Sequence, residues 1–172
     1  MLGYYLQHNS GFGSSFQEPG IDIAYGTNSY TVENLIAGAT YKFRITSHNV
    51  LEAQNSFSWD VLNFSDALTT VAANEPDKIT VFSQSLQDYE SGKVKLIWDA
   101  PNDNGSQITH YTVTRDVGSG VFFVVYEGSS PSYTDTNLVA GASYSYKVTA
   151  SNIVGAGEES DVLITTASSI PG

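Results

Sequence analysis

Along most of its length the chain alternates apolar and polar positions, the period-2 signal of half-buried strands, and no long window shows the 3.6-residue period of a helix. Strands are predicted over residues 1–9, 21–25, 29–32 and 40–49, and again over 78–83, 93–99, 108–116, 121–126, 132–134, 143–152 and 162–166. These runs are rich in Val, Ile, Thr and Tyr, which suit a pleated, half-buried surface. Gly, Ser and Pro between Gly11 and Gly20, and the run from Ala100 to Gly105, mark turns. In the strand over 93–99, Val94, Leu96 and Trp98 share one face, so Trp98 is the expected core aromatic.

One stretch occurs twice. Residues 30–49 (YTVENLIAGATYKFRITSHN) and 133–152 (YTDTNLVAGASYSYKVTASN) align without a gap, each leading from Asn-Leu through Ala-Gly-Ala to a tyrosine and an alternating run. A fixed internal repeat divides the chain into two modules. Their surroundings differ. Aligning Tyr4 with Tyr111 places the first residues on a strand that in the second repeat follows two others. The first repeat therefore opens in mid-domain, and the counterparts of its missing strands lie within 74–107. Between Asn49 and Thr69 it carries extra residues, including Phe57 and Trp59, where the second repeat turns compactly from Val154 to Gly157. Those two aromatics form a contact tip or fold back over the open end of the domain. The expected organisation is an incomplete domain over 1–72, a linker at 73–77, a complete domain over 78–167, and the start of a linker to a further repeat at 168–172.

Charge removes several partners. With a net charge of -11 and seven scattered Lys and Arg, the chain would repel a phosphate backbone, so nucleic acid is not an expected partner. There is no cysteine for a disulfide, a thiolate metal site or a thiol nucleophile. No apolar run approaches the ~18–20 residues that span a bilayer, so membrane insertion of this segment is not expected.

The sequence assigns no catalytic residue, cofactor site or metal site. His8, His48 and His110 lack metal-ligand spacing, and no nucleophile elbow, P-loop or dinucleotide fingerprint occurs. The run from Asn102 to Gly105 places oxygen ligands before a glycine, but Ala100 stands where a calcium loop needs Asp. Glu158, Glu159 and Asp161 form either a solvated edge or a cation-holding cluster. Two sequons, at Asn63 and Asn104, are glycosylation candidates. The run Val121, Phe122, Phe123, Val124, Val125 and Tyr126 is apolar on both faces. Either the preceding glycine-rich turn curls it inward or something covers it, which makes these residues, with Phe57 and Trp59, the interface candidates.

Taken together, Pro76, Trp98, the turn from Pro101 to Gly105, Tyr111, the Leu138-to-Tyr144 spacing, Asn152, Gly155, Gly157 and Ser160 resemble a fibronectin type III domain. The first repeat keeps Tyr4, Leu35, Gly38, Tyr41, Asn49 and Ser65 of the same pattern. The resemblance implies an all-β chain of tandem two-sheet sandwiches, the first lacking its first two strands, with Tyr41 and Tyr144 as structural tyrosine corners. It also implies a non-catalytic segment of an extracellular or cell-surface structural protein, a rod or filament of stacked sandwiches. Its partners would be other copies of itself or adjacent repeats, and glycans. The alternatives are a ligand-binding adhesion or receptor module, and accessory domains of a secreted polysaccharide-degrading enzyme.

Overall fold

The computed structural model describes residues 3–13, 15–17, 20–48, 63–86 and 90–168. Phe57 and Trp59 lie outside them. The described residues hold eleven strands and no helix, and the chain divides into two compact units, Met1–Ala73 and Asn74–Gly172.

In the second unit, β5 (Phe82–Gln84), β6 (Val94–Trp98) and β9 (Ser132–Asp135) form one antiparallel sheet in the order β5-β6-β9. The other sheet has the order β11-β10-β7-β8, built from β7 (His110–Asp116), β8 (Phe123–Gly128), β10 (Ser143–Ser151) and β11 (Leu163–Thr166). Alternation decides what lies between them. Val94, Leu96 and Trp98 from one sheet meet Tyr111, Val113, Tyr144, Tyr146, Val148 and Ala150 from the other. Trp98 is buried edge-on to Tyr111, with centroids 5.5 Å apart. Placing these side chains out of water is the main stabilising term of such a sandwich.

The first unit contains β1 (Gly3–His8), β2 (Ile21–Ala24), β3 (Thr40–His48) and β4 (Leu68–Val71) in a single sheet of order β2-β1-β3-β4. That order matches β8-β7-β10-β11, and so does the register. Tyr4 faces Ser47 and Phe43 faces Leu68, as Tyr111 faces Ala150 and Tyr146 faces Leu163. No second sheet occurs among the described residues of this unit. Residues 29–32, expected as a strand, are irregular. Their counterpart β9 is held by β6, and the described residues of the first unit hold no equivalent of β6 to pair with.

The duplicated stretch has one geometry in both units. Asn34 and Asn137 each have φ 59°, and Gly38 and Gly141 have φ 79° and 80°, left-handed conformations that Asn and Gly adopt at least cost. The turn is then locked by the tyrosine that follows. Ile36 N–H donates to the Tyr41 hydroxyl at 2.9 Å, and Val139 N–H to the Tyr144 hydroxyl at 2.9 Å. Each ring enters the interior while its polar tip satisfies a backbone donor.

The unit boundary falls between Ala73 and Asn74 rather than after a linker at 73–77. Asn74 N–H donates to Asn104 O and Asp77 N–H to Asn102 O, so this segment belongs to the second unit. Asn152 Nδ2 adds a bond to Asn74 O at 2.7 Å. Gly157 explains itself here, because a Cβ on it would lie 2.2 Å from Pro76 O. At the other end Ser168 is buried and exchanges backbone bonds with Gly92 and Lys93, placing it in the sandwich and not in a linker.

Candidate functional site

Two surfaces stand out, and neither resembles a catalytic site. The first is the inner face of the β2-β1-β3-β4 sheet, which carries Ile23, Tyr4, Leu6, Phe43, Ile45 and Leu68 by strand alternation. In the second unit the equivalent positions are roofed by β5-β6-β9, and Val148 is fully buried. In the first, Ile45 at the same position is 40 % exposed and Leu68 is 67 % exposed. Among the described residues, three hydrophobic ones are buried in the first unit against eleven in the second. A cleft of about 360 Å³ opens on this face, lined by Tyr4, Leu6, Ile23, Tyr30 and Ile45 together with residues 27–29.

The opposite face of that sheet is covered. The Arg44 guanidinium lies 4.1 Å above the Phe16 ring and 4.2 Å from the Phe64 ring, and its Nε and Nη2 donate to Gln7 Oε1 at 2.9 and 2.7 Å. A cation held between two rings and forked onto an amide fixes these side chains against the sheet. Asn63 is exposed beside this cluster, its carbonyl accepting from Thr46 Oγ1 at 2.8 Å.

The second surface is the β7–β8 hairpin. Asp116 Oδ1 accepts Ser119 N–H and Ser119 Oγ at 2.9 Å and Gly120 N–H at 3.2 Å. Burial disfavours its charge, but the Ser119 hydroxyl and the Ser119, Gly120 and Gly118 amides outweigh this and hold its pKa below the ordinary value. Beyond the turn, Thr114 faces Val124 while Val113 faces Tyr126, so Val125 is an extra residue, a β-bulge. The bulge resolves how a two-faced apolar run is accommodated. Val125 and Tyr126, both partly buried, pack on the core, with Tyr126 stacked on Tyr133 at 5.0 Å. Phe122 lies under Lys147, whose Nζ is 4.7 Å from the ring. Val121, Phe123 and Val124 are exposed.

Several other polar groups singled out by the sequence have structural partners. Asn104, in a left-handed conformation at φ 52°, donates its Nδ2 to Glu75 O and Asp77 Oδ1, both at 2.9 Å. A sugar on that nitrogen would replace one of its two hydrogens and so cost at least one of these bonds, which argues against Asn104 as a glycan site in the folded chain. Two of the three acids near the last hairpin are ion-paired, Glu159 with Lys147 at 2.6 Å and Asp161 with Lys78 at 2.7 Å. No group of three His, Cys, Asp or Glu suited to a metal ion occurs among the described residues. His48 Nε2 lies 3.0 Å from Asp22 Oδ1, its ring stacked on Tyr5. His8 bonds Asn9 O and His110 bonds Thr109 Oγ1.

A buried polar node was not foreseen from the sequence. Asp135 Oδ2 accepts Arg115 Nη1 at 2.8 Å and the Tyr146 hydroxyl at 2.9 Å, inside the second sandwich. Desolvation, then the Asp135 charge and its hydrogen bond, push the Tyr146 phenol well above its ordinary pKa. For Arg115, desolvation works against the charge, but the bond to Asp135 prevails and raises its pKa. The node ties two sheets together, with Asp135 and Tyr146 buried and Arg115 half-buried, so it stabilises rather than reacts.

Comparison with known proteins agrees with this geometry. A family model described as "Fibronectin type III domain" matches residues 80–166. The chain is 31 % identical to "Fibronectin type-III domain-containing protein 3a" of Gallus gallus over 99 % of its own length and 14 % of that relative. It is 30 % identical to "Myomesin-2" of Homo sapiens over 94 % of its length and 11 % of that relative. It therefore spans only a small part of either. Among solved structures, titin domains A168–A170 superpose with a TM-score of 0.58 at 21 % identity, covering 97 % of this chain and 55 % of that one, a likeness of fold alone. The chain belongs to the fibronectin type III family.

Proposed function

We propose that this chain is a non-catalytic segment of an extracellular or cell-surface repeat protein, forming a rod or filament by end-to-end stacking of β-sandwiches. In this reading the first unit is completed by strands from a neighbouring repeat or subunit. The observation that carries it is the contrast between Val148 and Ile45, equivalent positions of which one is fully buried and the other 40 % exposed. An apolar sheet face of this extent is normally covered, because water contact forfeits about 25 cal/mol for each Å² left exposed. The exposed Asn63 suits a glycan on the same outer surface, in keeping with an extracellular placement.

The test is hydrogen exchange of the chain, alone and with an added peptide copying residues 78–100, which hold β5 and β6 of the complete unit. The expected result is that the peptide slows exchange in residues 30–33 and across β3 by at least about tenfold. Full protection of these amides in the chain alone would sink the completion reading. One observation favours a second reading, a ligand-binding adhesion module: the cleft bounded by Tyr4, Tyr30 and Ile45 is concave, apolar and aromatic-edged, as small-ligand sites are. Saturable binding of a soluble ligand that Tyr30→Ala abolishes would support it.

A further inference from the structure

We propose that the β7–β8 hairpin of the second unit docks the same hairpin of a second copy, edge to edge and antiparallel about a two-fold axis. This rests on the reading above that copies of the chain meet, and it names where. Four observations carry it.

The hairpin is built to hold its shape. Asp116 gathers three donors from the turn, and Gly118 and Gly120, at φ 99° and 81°, let the backbone close around it. A preorganised turn loses little entropy on binding. The side chains it displays are apolar, with Val117 61 %, Val121 52 %, Phe123 63 % and Val124 58 % exposed.

The strand is also an open edge. In the order β11-β10-β7-β8, β8 pairs only with β7 among the described residues, so that its other side has no ladder partner among them. Such an edge templates a further strand. The bulge at Val125 bends the ladder, which confines pairing to a short segment, Val121 to Val124.

Charge selects the occupant. The chain carries a net charge of -11, yet the ten positions from Val117 to Tyr126 hold no charged residue. Two identical acidic molecules repel each other wherever their carboxylates meet, and this neutral stretch is where a copy approaches at least cost. Raising the salt concentration, which screens the remaining repulsion, strengthens rather than weakens such a contact.

Area sets its strength. Covering the four exposed side chains removes roughly 400 Å² per copy, about 800 Å² in total, below the standard interface size. The contact is therefore weak between isolated chains and gains its effect where several repeats act together.

The test is sedimentation equilibrium of the whole chain from micromolar to millimolar concentration, at physiological and at high salt. The expected result is an average mass that climbs toward that of a dimer and climbs further at high salt. Phe123→Asp and Val124→Lys should weaken association at least tenfold, whereas Val139→Asp, at another exposed apolar site of the second unit, should not. Because the chain has no cysteine, the double variant Val121→Cys/Val124→Cys, whose thiols face each other across the two-fold axis, should oxidise to a covalent dimer while Val139→Cys stays monomeric. A wild-type chain that is monomeric throughout overturns the proposal. So does association that survives Phe123→Asp but is lost in Ile45→Asp, a result that would leave the open face of the first unit, and the completion reading, in place.

Discussion

The difference in exposure between the two units makes a quantitative prediction at one pair of equivalent positions, Val148 on β10 and Ile45 on β3. Val148 is fully buried among β6 and β7 side chains. Val148→Ala removes two methyl groups, about 1.6 kcal/mol of transfer free energy, and leaves a cavity worth about 1 kcal/mol more, roughly 2.5 kcal/mol in all. Ile45→Ala removes three carbons, a larger deletion. Ile45 is already 40 % exposed, however, so its transfer contribution falls to about 1.4 kcal/mol, and water fills the space without a cavity penalty. The larger truncation should thus be the milder one. Hydrogen exchange followed by mass spectrometry reads the two strands separately. Amides of β10 should accelerate about 70-fold in Val148→Ala, and those of β3 about 10-fold in Ile45→Ala, at 1.4 kcal/mol for each factor of ten. Equal effects, or a larger one at Ile45, would refute the claim that this face is open in the isolated chain.

Three further outcomes are expected. Tyr144→Phe strands the Val139 amide and should lower the melting temperature of the second unit by about 5–10 °C, for a loss of about 1–2 kcal/mol; Tyr41→Phe should destabilise the first unit through Ile36 in the same way. Asp135→Ala leaves the Arg115 charge unpaired beside a buried phenol and should cost about 3 kcal/mol in chemical denaturation, more than any surface ion-pair deletion such as Glu159→Ala. Tyr111, Tyr133 and Tyr146 all have pKa values raised by burial, so the unfolded chain releases their protons first as pH rises above about 10. Their contribution is complete below that pH and declines above it by up to about 1.4 kcal/mol per pH unit per tyrosine, measurable as alkaline unfolding with a tyrosinate absorbance step.

How much of this was legible depended on whether a feature is local. The Asn-Leu-x-Ala-Gly-Ala-x-Tyr turn is local: its left-handed Asn and Gly and its tyrosine hydroxyl bond lie within a few residues, and both units build it alike. Trp98 could be placed in the core because its strand alternates cleanly. Strand identity elsewhere belongs to pairs. The strand β4 was not predicted, since all four of its residues are exposed and only the ladder from Thr40–Val71 to Phe43–Leu68 makes it one. Residues 29–32 have the right composition and no partner, and they are not a strand. The bulge at Val125 shifts the register by one residue, which changes the facing of Val125 and Tyr126 without leaving a mark on composition.

The same three positions show how differently the two units hold their layers. In the second, one carboxylate on β9 ties Arg115 of β7 to Tyr146 of β10, so the roofing sheet is held by a buried pair as well as by apolar contact. In the first, the repeat alignment puts His8, Val32 and Phe43 at the positions of Arg115, Asp135 and Tyr146. His8 there packs on Phe43 at 5.7 Å and edge-on to Tyr41 at 6.2 Å, and no ion pair awaits a partner. A buried pair accepts only the register that satisfies it, because any other strands a charge. An aromatic and aliphatic face makes no such demand and discriminates chiefly by shape. A layer that completes the first unit would then need only an apolar stripe of strand period, with no carboxylate at a fixed place. Such a face would accept any neighbour that presents this pattern.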